Sequence, residues 1–194
     1  KQKNLQELFD KVLDEELKKL YEKLEKMLED LQKKDALDKM ADMQMSNEKL
    51  EKELDRMLEL FKKMEFDQKL EETAQKLDKL ADKQEELAQK TEQNQDSKGN
   101  PKDQKQQQDL KEQQQKLNEE LKDAKKDMQD LNKLNEETKS QQDFKEVEQN
   151  MESADKQQQE SQQQMDANNN KASSKAQKSA SNNMKSAAQK LSDM

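Results

Sequence analysis

Residues 144–165 read FKEVEQNMESADKQQQESQQQM, and within them Phe144, Val147, Met151, Ala154, Gln158, Ser161 and Met165 follow one another at spacings that alternate between 3 and 4. On a helix of 3.6 residues per turn that alternation holds all seven side chains on one narrow stripe. A stripe of this kind leaves water only by packing on another helix. The same alternation runs through Leu110, Gln114, Leu117, Leu121, Ala124, Met128 and Leu131. Everything between these positions is polar or charged, so the stripes decide the fold.

Composition points the same way. Of 194 residues, 28% are hydrophobic and 42% charged, with one Gly, one Pro, no Cys, no Trp and no His. An ordinary globule needs more apolar surface than this to offset the roughly 1–2 kcal/mol per residue of lost backbone entropy. Long helices meeting along thin seams need less. The fold expected is therefore all-α: elongated antiparallel helical hairpins, or a coiled-coil-like bundle.

Working outward, Leu5, Leu8, Phe9, Val12, Leu13, Leu17, Leu20, Leu24, Met27, Leu28 and Leu31 predict a first helix over about residues 3–33. Asp35 can cap a short successor carrying Leu37, Met40 and Ala41, and Ser46 or Asn47 can cap a longer helix reaching about residue 95. Its stripe is Leu50, Leu54, Met57, Leu58, Phe61 and Met64, then Leu70, Ala74, Leu77, Leu80, Ala81, Leu87 and Ala88. The phase slips by one residue near Phe66, which predicts a change of packing partner there. Asp96-Ser97-Lys98-Gly99-Asn100-Pro101 holds the only Gly and the only Pro, and so short a break returns the chain antiparallel. A weaker break is expected at 138–142, with Asp143 capping the next helix and Glu146 completing a capping box. Asn168-Asn169-Asn170 supplies the last turn. Three segments follow: 1–46, a hairpin at 47–137 turning at 96–101, and a helical pair at 138–194 turning near 168–170. Seam residues drift from Leu to Gln and then Ala, which predicts that the C-terminal third is the least stable part.

The net charge is −8, with signs interspersed, and Arg56 is the only arginine. A general polyanion binder would be basic. No apolar stretch reaches the 18 or so residues of a membrane span, and no signal peptide is present, so the segment reads as soluble. Lys1 in place of Met reads as the start of a piece of a longer protein. With no His, no Cys, no Gly-rich phosphate loop and no Gly-x-Ser-x-Gly turn, the sequence offers no catalytic constellation and calls for no cofactor. Its many acids sit beside lysines at helical spacing, which is ordinary helix support.

Two clusters invite a chemical reading. Met40, Met43 and Met45 place three thioethers within six residues, a possible Cu(I) set, against the plainer reading that they fill an irregular corner. Lys171, Lys175, Lys178 and Lys185 lie close to one helical face, in a stretch (167–192) with five lysines and no acid. That face could meet anionic lipid or phosphates, although it has no arginine or aromatic residue for nucleic-acid contacts. The plainer readings are a solvated face or pairing with an acidic helix.

Several stretches resemble a known family. Residues 47–62, NEKLEKELDRMLELFK, are similar to an NEELEKELDRTLELFK segment; Lys69-Leu70-Glu71-Glu72 and residues 80–88 continue it, and KASSKAQKSA at 171–180 resembles a downstream KASKSQKKAA segment. Together they resemble a family of large membrane-anchored coiled-coil proteins of Bacteroidota, defined as a domain of unknown function. The resemblance covers most of the chain, in order. It implies a fragment of an envelope-facing helical region, on the periplasmic face, and supplies no catalytic residues. The ATPase label sometimes attached to the family finds no phosphate-binding loop in these residues.

The function expected is a structural or protein-interaction region of a larger cell-envelope protein, scaffolding through its helical faces. Its seam is expected at Leu54, Leu58, Phe61, Leu70, Leu77, Leu117, Leu121 and Met128. The alternative is a peripheral binding module that uses the lysine helix. An intrachain hairpin and an intermolecular coiled coil share the same spacing, so both stay open, as does the identity of a protein partner.

Overall fold

A computed structural model describes residues 39–94 and 101–194. Among these residues there are four helices and no strand: α1 (Lys39–Gln93), α2 (Pro101–Thr138), α3 (Lys145–Asp166) and α4 (Asn170–Ser192). The expected helix at 3–33 and the cap at Asp35 fall outside the described residues, as does most of the turn at 96–101. The chain divides into two compact units, Lys1–Leu58 and Glu59–Met194. The described part of the first, residues 39–58, is helix throughout.

One expected break is absent. Helix α1 passes through Ser46 and Asn47 without interruption. Ser and Asn cap a helix well, but inside one they cost only a few tenths of a kcal/mol, and no Gly or Pro stands nearby to break the chain. Met40, Met43 and Met45 accordingly lie in one continuous helix with the residues that follow them.

Within residues 59–194 the helices run up, down, up and down, and ion pairs across each seam fix the neighbours. Along the α1–α2 seam Lys62 meets Glu137 (3.0 Å), Lys69 meets Asp130 (3.4 Å), Lys76 meets Asp127 (2.6 Å) and Lys83 meets Glu120 (2.6 Å). Lys125–Asp155 (2.7 Å) and Lys111–Asp166 (3.0 Å) join α2 to α3. Lys190 joins Glu146 between α4 and α3. Lys178–Glu92 (2.6 Å) and Lys185–Asp82 (3.1 Å) close the ring between α4 and α1. Between α4 and α3 the Asn183 side chain also donates to that of Gln157 (2.8 Å), so in every seam one partner's number rises as the other's falls, and all four neighbouring pairs are antiparallel. Each exposed pair contributes only about 0–1 kcal/mol. Their value is in what they show: residues 59–137 of the expected hairpin and the C-terminal pair, expected as separate segments, form one four-helix unit.

The core confirms the two stripes. Leu110, Leu117, Leu121, Ala124, Met128 and Leu131 of α2 are buried, as are Phe144 and then Val147, Met151, Ala154 and Met165 of α3. Helix α1 contributes Phe66, Ala74, Leu77, Leu80, Ala81, Leu87 and Ala88, with Leu70 partly buried against them. Helix α4 contributes Ala176, Ala180, Met184, Ala187, Ala188 and Leu191. Small residues on α4 let its backbone come close to α1, where the Ser181 hydroxyl donates to the Ala81 carbonyl (2.8 Å).

Leu58 and Phe61, expected on the seam, are 56% and 41% exposed, and Leu60 beside them is 41% exposed. The physical reason lies in the phase slip. Lys62 already pairs with Glu137, one residue before α2 ends at Thr138, so Phe61 stands opposite the very end of α2, where little of that helix is left to cover it. Within residues 59–194 the buried core starts at Phe66, whose ring lies 6.2 Å from that of Phe144. Leu54 is within α1; Leu70, Leu77, Leu117, Leu121 and Met128 take their expected places.

The connections follow from local chemistry. Pro101 opens α2, where its missing N–H is no loss. At the end of α2, Lys139 adopts φ 53°, while Ser140 N–H donates to the Asn135 carbonyl (3.2 Å) and Lys139 N–H to that of Glu136 (3.3 Å). This is a Schellman ending, with Lys at the left-handed position that glycine would fill more easily. The Asn135 side chain then clamps Gln142, accepting from its N–H (3.1 Å) and donating to its carbonyl (2.8 Å). Asp143 accepts from Lys145 N–H (3.0 Å), but the expected capping box does not close: Glu146 pairs with Lys190 instead. Asn168, at φ 56°, ends α3 with a second Schellman pair, Asn169 N–H to Gln164 O (2.8 Å) and Asn168 N–H to Met165 O (3.0 Å). Asn169 caps α4 by accepting from Ala172 N–H (3.2 Å).

Candidate functional site

The middle of the bundle is polar. Gln84 of α1, Gln114 of α2, Gln158 of α3 and Gln177 of α4 are each fully buried, and Ser161 and Ser173 lie beside them. The heptad stripe of each helix delivers one amide to the same level. Gln84 and Gln114 exchange bonds, Nε2 to Oε1, at 3.0 and 3.2 Å. Gln158 Nε2 donates to Gln84 Oε1 (2.7 Å), and Gln177 Nε2 donates to Gln114 Oε1 (2.9 Å). Ser161 donates to Gln114 Oε1 (3.2 Å) and shares a bond with Ser173 (2.8 Å). Gln114 is the hub: three donors converge on its oxygen.

Among the described residues, Oε1 of Gln158 and Oε1 of Gln177 have no hydrogen-bond partner. An unmet buried acceptor costs about 1–3 kcal/mol. The layer is therefore less stabilising than leucines of similar volume would be, and its contribution is to specificity, as with a single buried asparagine in a coiled-coil seam.

One heptad along, toward the α1–α2 turn, a second amide cluster closes the bundle. Asn94 Nδ2 donates to Gln107 Oε1 (3.1 Å), Gln107 Nε2 to Asn170 Oδ1 (3.0 Å), and Asn170 Nδ2 to the Asn94 carbonyl (3.0 Å). One heptad the other way, the same stripes place Leu77, Leu121, Met151 and Met184, all buried. Sequence reading found Gln114 and Gln158 on their seams but not Gln84 or Gln177. The missed signal is a glutamine at the inward heptad position of every helix.

The lysine face of α4 divides. Lys178 and Lys185 are held by Glu92 and Asp82, and the Glu92 hydrogen bond raises the Lys178 pKa above its ordinary value. Lys171 and Lys175 are exposed. For Met40, Met43 and Met45 the structure gives only their place in α1. Among the described residues no group of three or more His, Cys, Asp or Glu is arranged to hold a metal ion, and no helix is long and apolar enough to cross a membrane.

Beside the layer, a cleft of about 410 Å³ between α2 and α3 has Met128 and Met151 in its lining and Lys125 and Asp155 paired across it. Burial pushes the Asp155 carboxyl up, but hydrogen bonds from Lys125 and Gln159 and the Lys125 charge outweigh it, and the pKa falls below the usual value. A depressed carboxylate pKa stabilises the fold above the unfolded value of about 3.9, and that contribution is lost as pH falls through the folded value. Asp155→Asn should therefore lower stability at pH 7 by about 1 kcal/mol or less, with the difference from the parent shrinking as pH falls below the unfolded value and through the lower folded one. Urea unfolding from pH 7 down into the acid range measures it; a difference that stays constant over the whole range would rule out the ion pair as its cause.

Comparison with protein-family models, with curated proteins and with solved structures found no match for this chain.

Proposed function

We propose that this chain is a structural and protein-interaction region, non-enzymatic in itself, that scaffolds a larger cell-envelope protein through its helical faces. The observation that carries this reading is where the chemistry is used. The inward heptad positions of four helices are taken by core packing and amide bonding, and lysines on every seam are paired with acids of the next helix. Side chains committed in this way hold helices in fixed relation and leave outward faces to present. The envelope setting rests on the family resemblance of residues 47–62, 69–72, 80–88 and 171–180.

Proximity labelling of the full-length protein in its native cells tests the reading. A defined set of protein neighbours is expected, and it should be lost when Leu121→Asp unfolds the bundle; neighbours unchanged by that substitution would sink the proposal. ATP turnover by this chain alone would also overturn it.

A second reading draws on Lys171 and Lys175, which are exposed at the start of α4 and have no acid partner among the described residues. If the face were a lipid contact, flotation with phosphatidylserine vesicles would fall steeply with salt and vanish in a Lys171→Gln/Lys175→Gln variant. With Lys178 and Lys185 already paired, no such binding is expected.

A further inference from the structure

We propose that the buried amides lock the register of α4 against the other three helices. The need for a lock is visible in α4 itself, whose sequence nearly repeats every seven residues. Lys171, Lys178 and Lys185 form one column, Ser173, Ala180 and Ala187 a second, and Ser174, Ser181 and Ala188 a third. A slide of α4 by one heptad moves it about 10 Å and exchanges like for like at these positions. Lys185 would take the place of Lys178 opposite Glu92, and Ala180 that of Ser173 beside Ser161. Small side chains bury little area, so packing in these columns barely distinguishes the two registers.

The column that does not repeat is Asn170, Gln177, Met184 and Leu191. A slide in one direction is blocked by the connection: only residues 167–169 separate α3 from α4, too few to span a further 10 Å. A slide in the other direction needs only the first two turns of α4 to leave the bundle. It would bring Met184 among Gln84, Gln114 and Gln158, remove the Gln177–Gln114 bond, and separate Asn170 from Gln107 and Asn94. Gln84 and Gln114 could still pair, and Gln177 would take the place of Asn170 beside Gln107, but Gln114 would lose the Gln177 donor and face the apolar Met184 in its stead. The amides therefore oppose the one slide that the connection permits.

The chain contains no cysteine, so introduced pairs report register without background. The Asn183 side chain donates to that of Gln157 at 2.8 Å, so Gln157→Cys with Asn183→Cys reads the native register through a short bis-maleimide. Gln157→Cys with Lys190→Cys reads the slide. Moving the amide by one heptad, with Gln177→Leu and Met184→Gln, should invert the ratio of the two products by about tenfold or more. A folded variant that still crosslinks only 157 to 183 overturns the proposal. Should that variant not fold, replacing all four layer glutamines by leucine together with Asn170→Ala removes both amides from the inward column of α4 and leaves no layer amide orphaned. That variant should have a raised urea midpoint and give both products; the 157–183 product alone would again overturn the lock.

Discussion

Replacing Leu121 with aspartate is expected to abolish the cooperative unfolding of residues 59–194. Leu121 is fully buried in α2, one heptad from the glutamine layer, at the level of Leu77, Met151 and Met184. Truncating such a leucine to alanine costs about 2–5 kcal/mol, and a carboxylate there finds no cation to pair with, adding several kcal/mol more. Together these rival the 5–15 kcal/mol that holds a typical domain. Circular dichroism through a thermal melt should show reduced helicity and no sharp transition. Leu58→Asp is the matched comparison, since Leu58 is 56% exposed and a surface change is typically worth less than about 0.5 kcal/mol. If the two variants melted alike, the placement of the core would be wrong.

Gln114→Leu should be the most damaging change in the polar layer, although it puts a hydrophobic residue into a core. Leucine is close to glutamine in volume, so a large cavity is not the cause. The loss comes from what stays behind: Gln84 Nε2 and Gln177 Nε2 both donate to Gln114 Oε1 and would have no acceptor. At about 1–3 kcal/mol for each buried orphan, the expected cost is roughly 2–5 kcal/mol, read as a fall in the urea midpoint. The neighbouring Gln115, exposed on the same helix, should accept leucine with little change. The contrast with the four-leucine layer is informative because the signs differ. Removing one partner exposes the desolvation cost of the others, whereas removing all of them removes that cost too. A midpoint unmoved by Gln114→Leu would mean that the layer is not closed to water.

The two outcomes bear on different levels of the structure. Leu121 tests a position that spacing alone places in the core. Gln114 tests a meeting of four helices that spacing does not show. Along α2 and α3 the alternation of 3 and 4 named every buried seam residue, because inward positions there differ sharply from the charged positions around them. Along α1 the same spacing does not bury Leu58 and Phe61, which are apolar but exposed. Nor does a helix start at Ser46 or Asn47, since residues able to cap a helix are also tolerated inside one. On α4, where small residues and serines make up most of the seam, hydrophobic contrast is weak, and Gln177 was not distinguished from the polar surface.

What the sequence determined by itself is local. Helicity, the positions of the stripes, and the turns at 139–144 and 167–169 depend on residues within a few positions of one another: the 3.6-residue period, the scarcity of Gly and Pro, and asparagine's tolerance of the left-handed region. What only the tertiary structure decided is which stripe faces which. A heptad seam carries the same spacing whether it packs on the next helix or on another molecule, so pattern alone could not bring Gln84 to Gln158 or Lys178 to Glu92. Those pairings join residues 74 and 86 positions apart, and they were fixed by the closing of four antiparallel helices around shared amides.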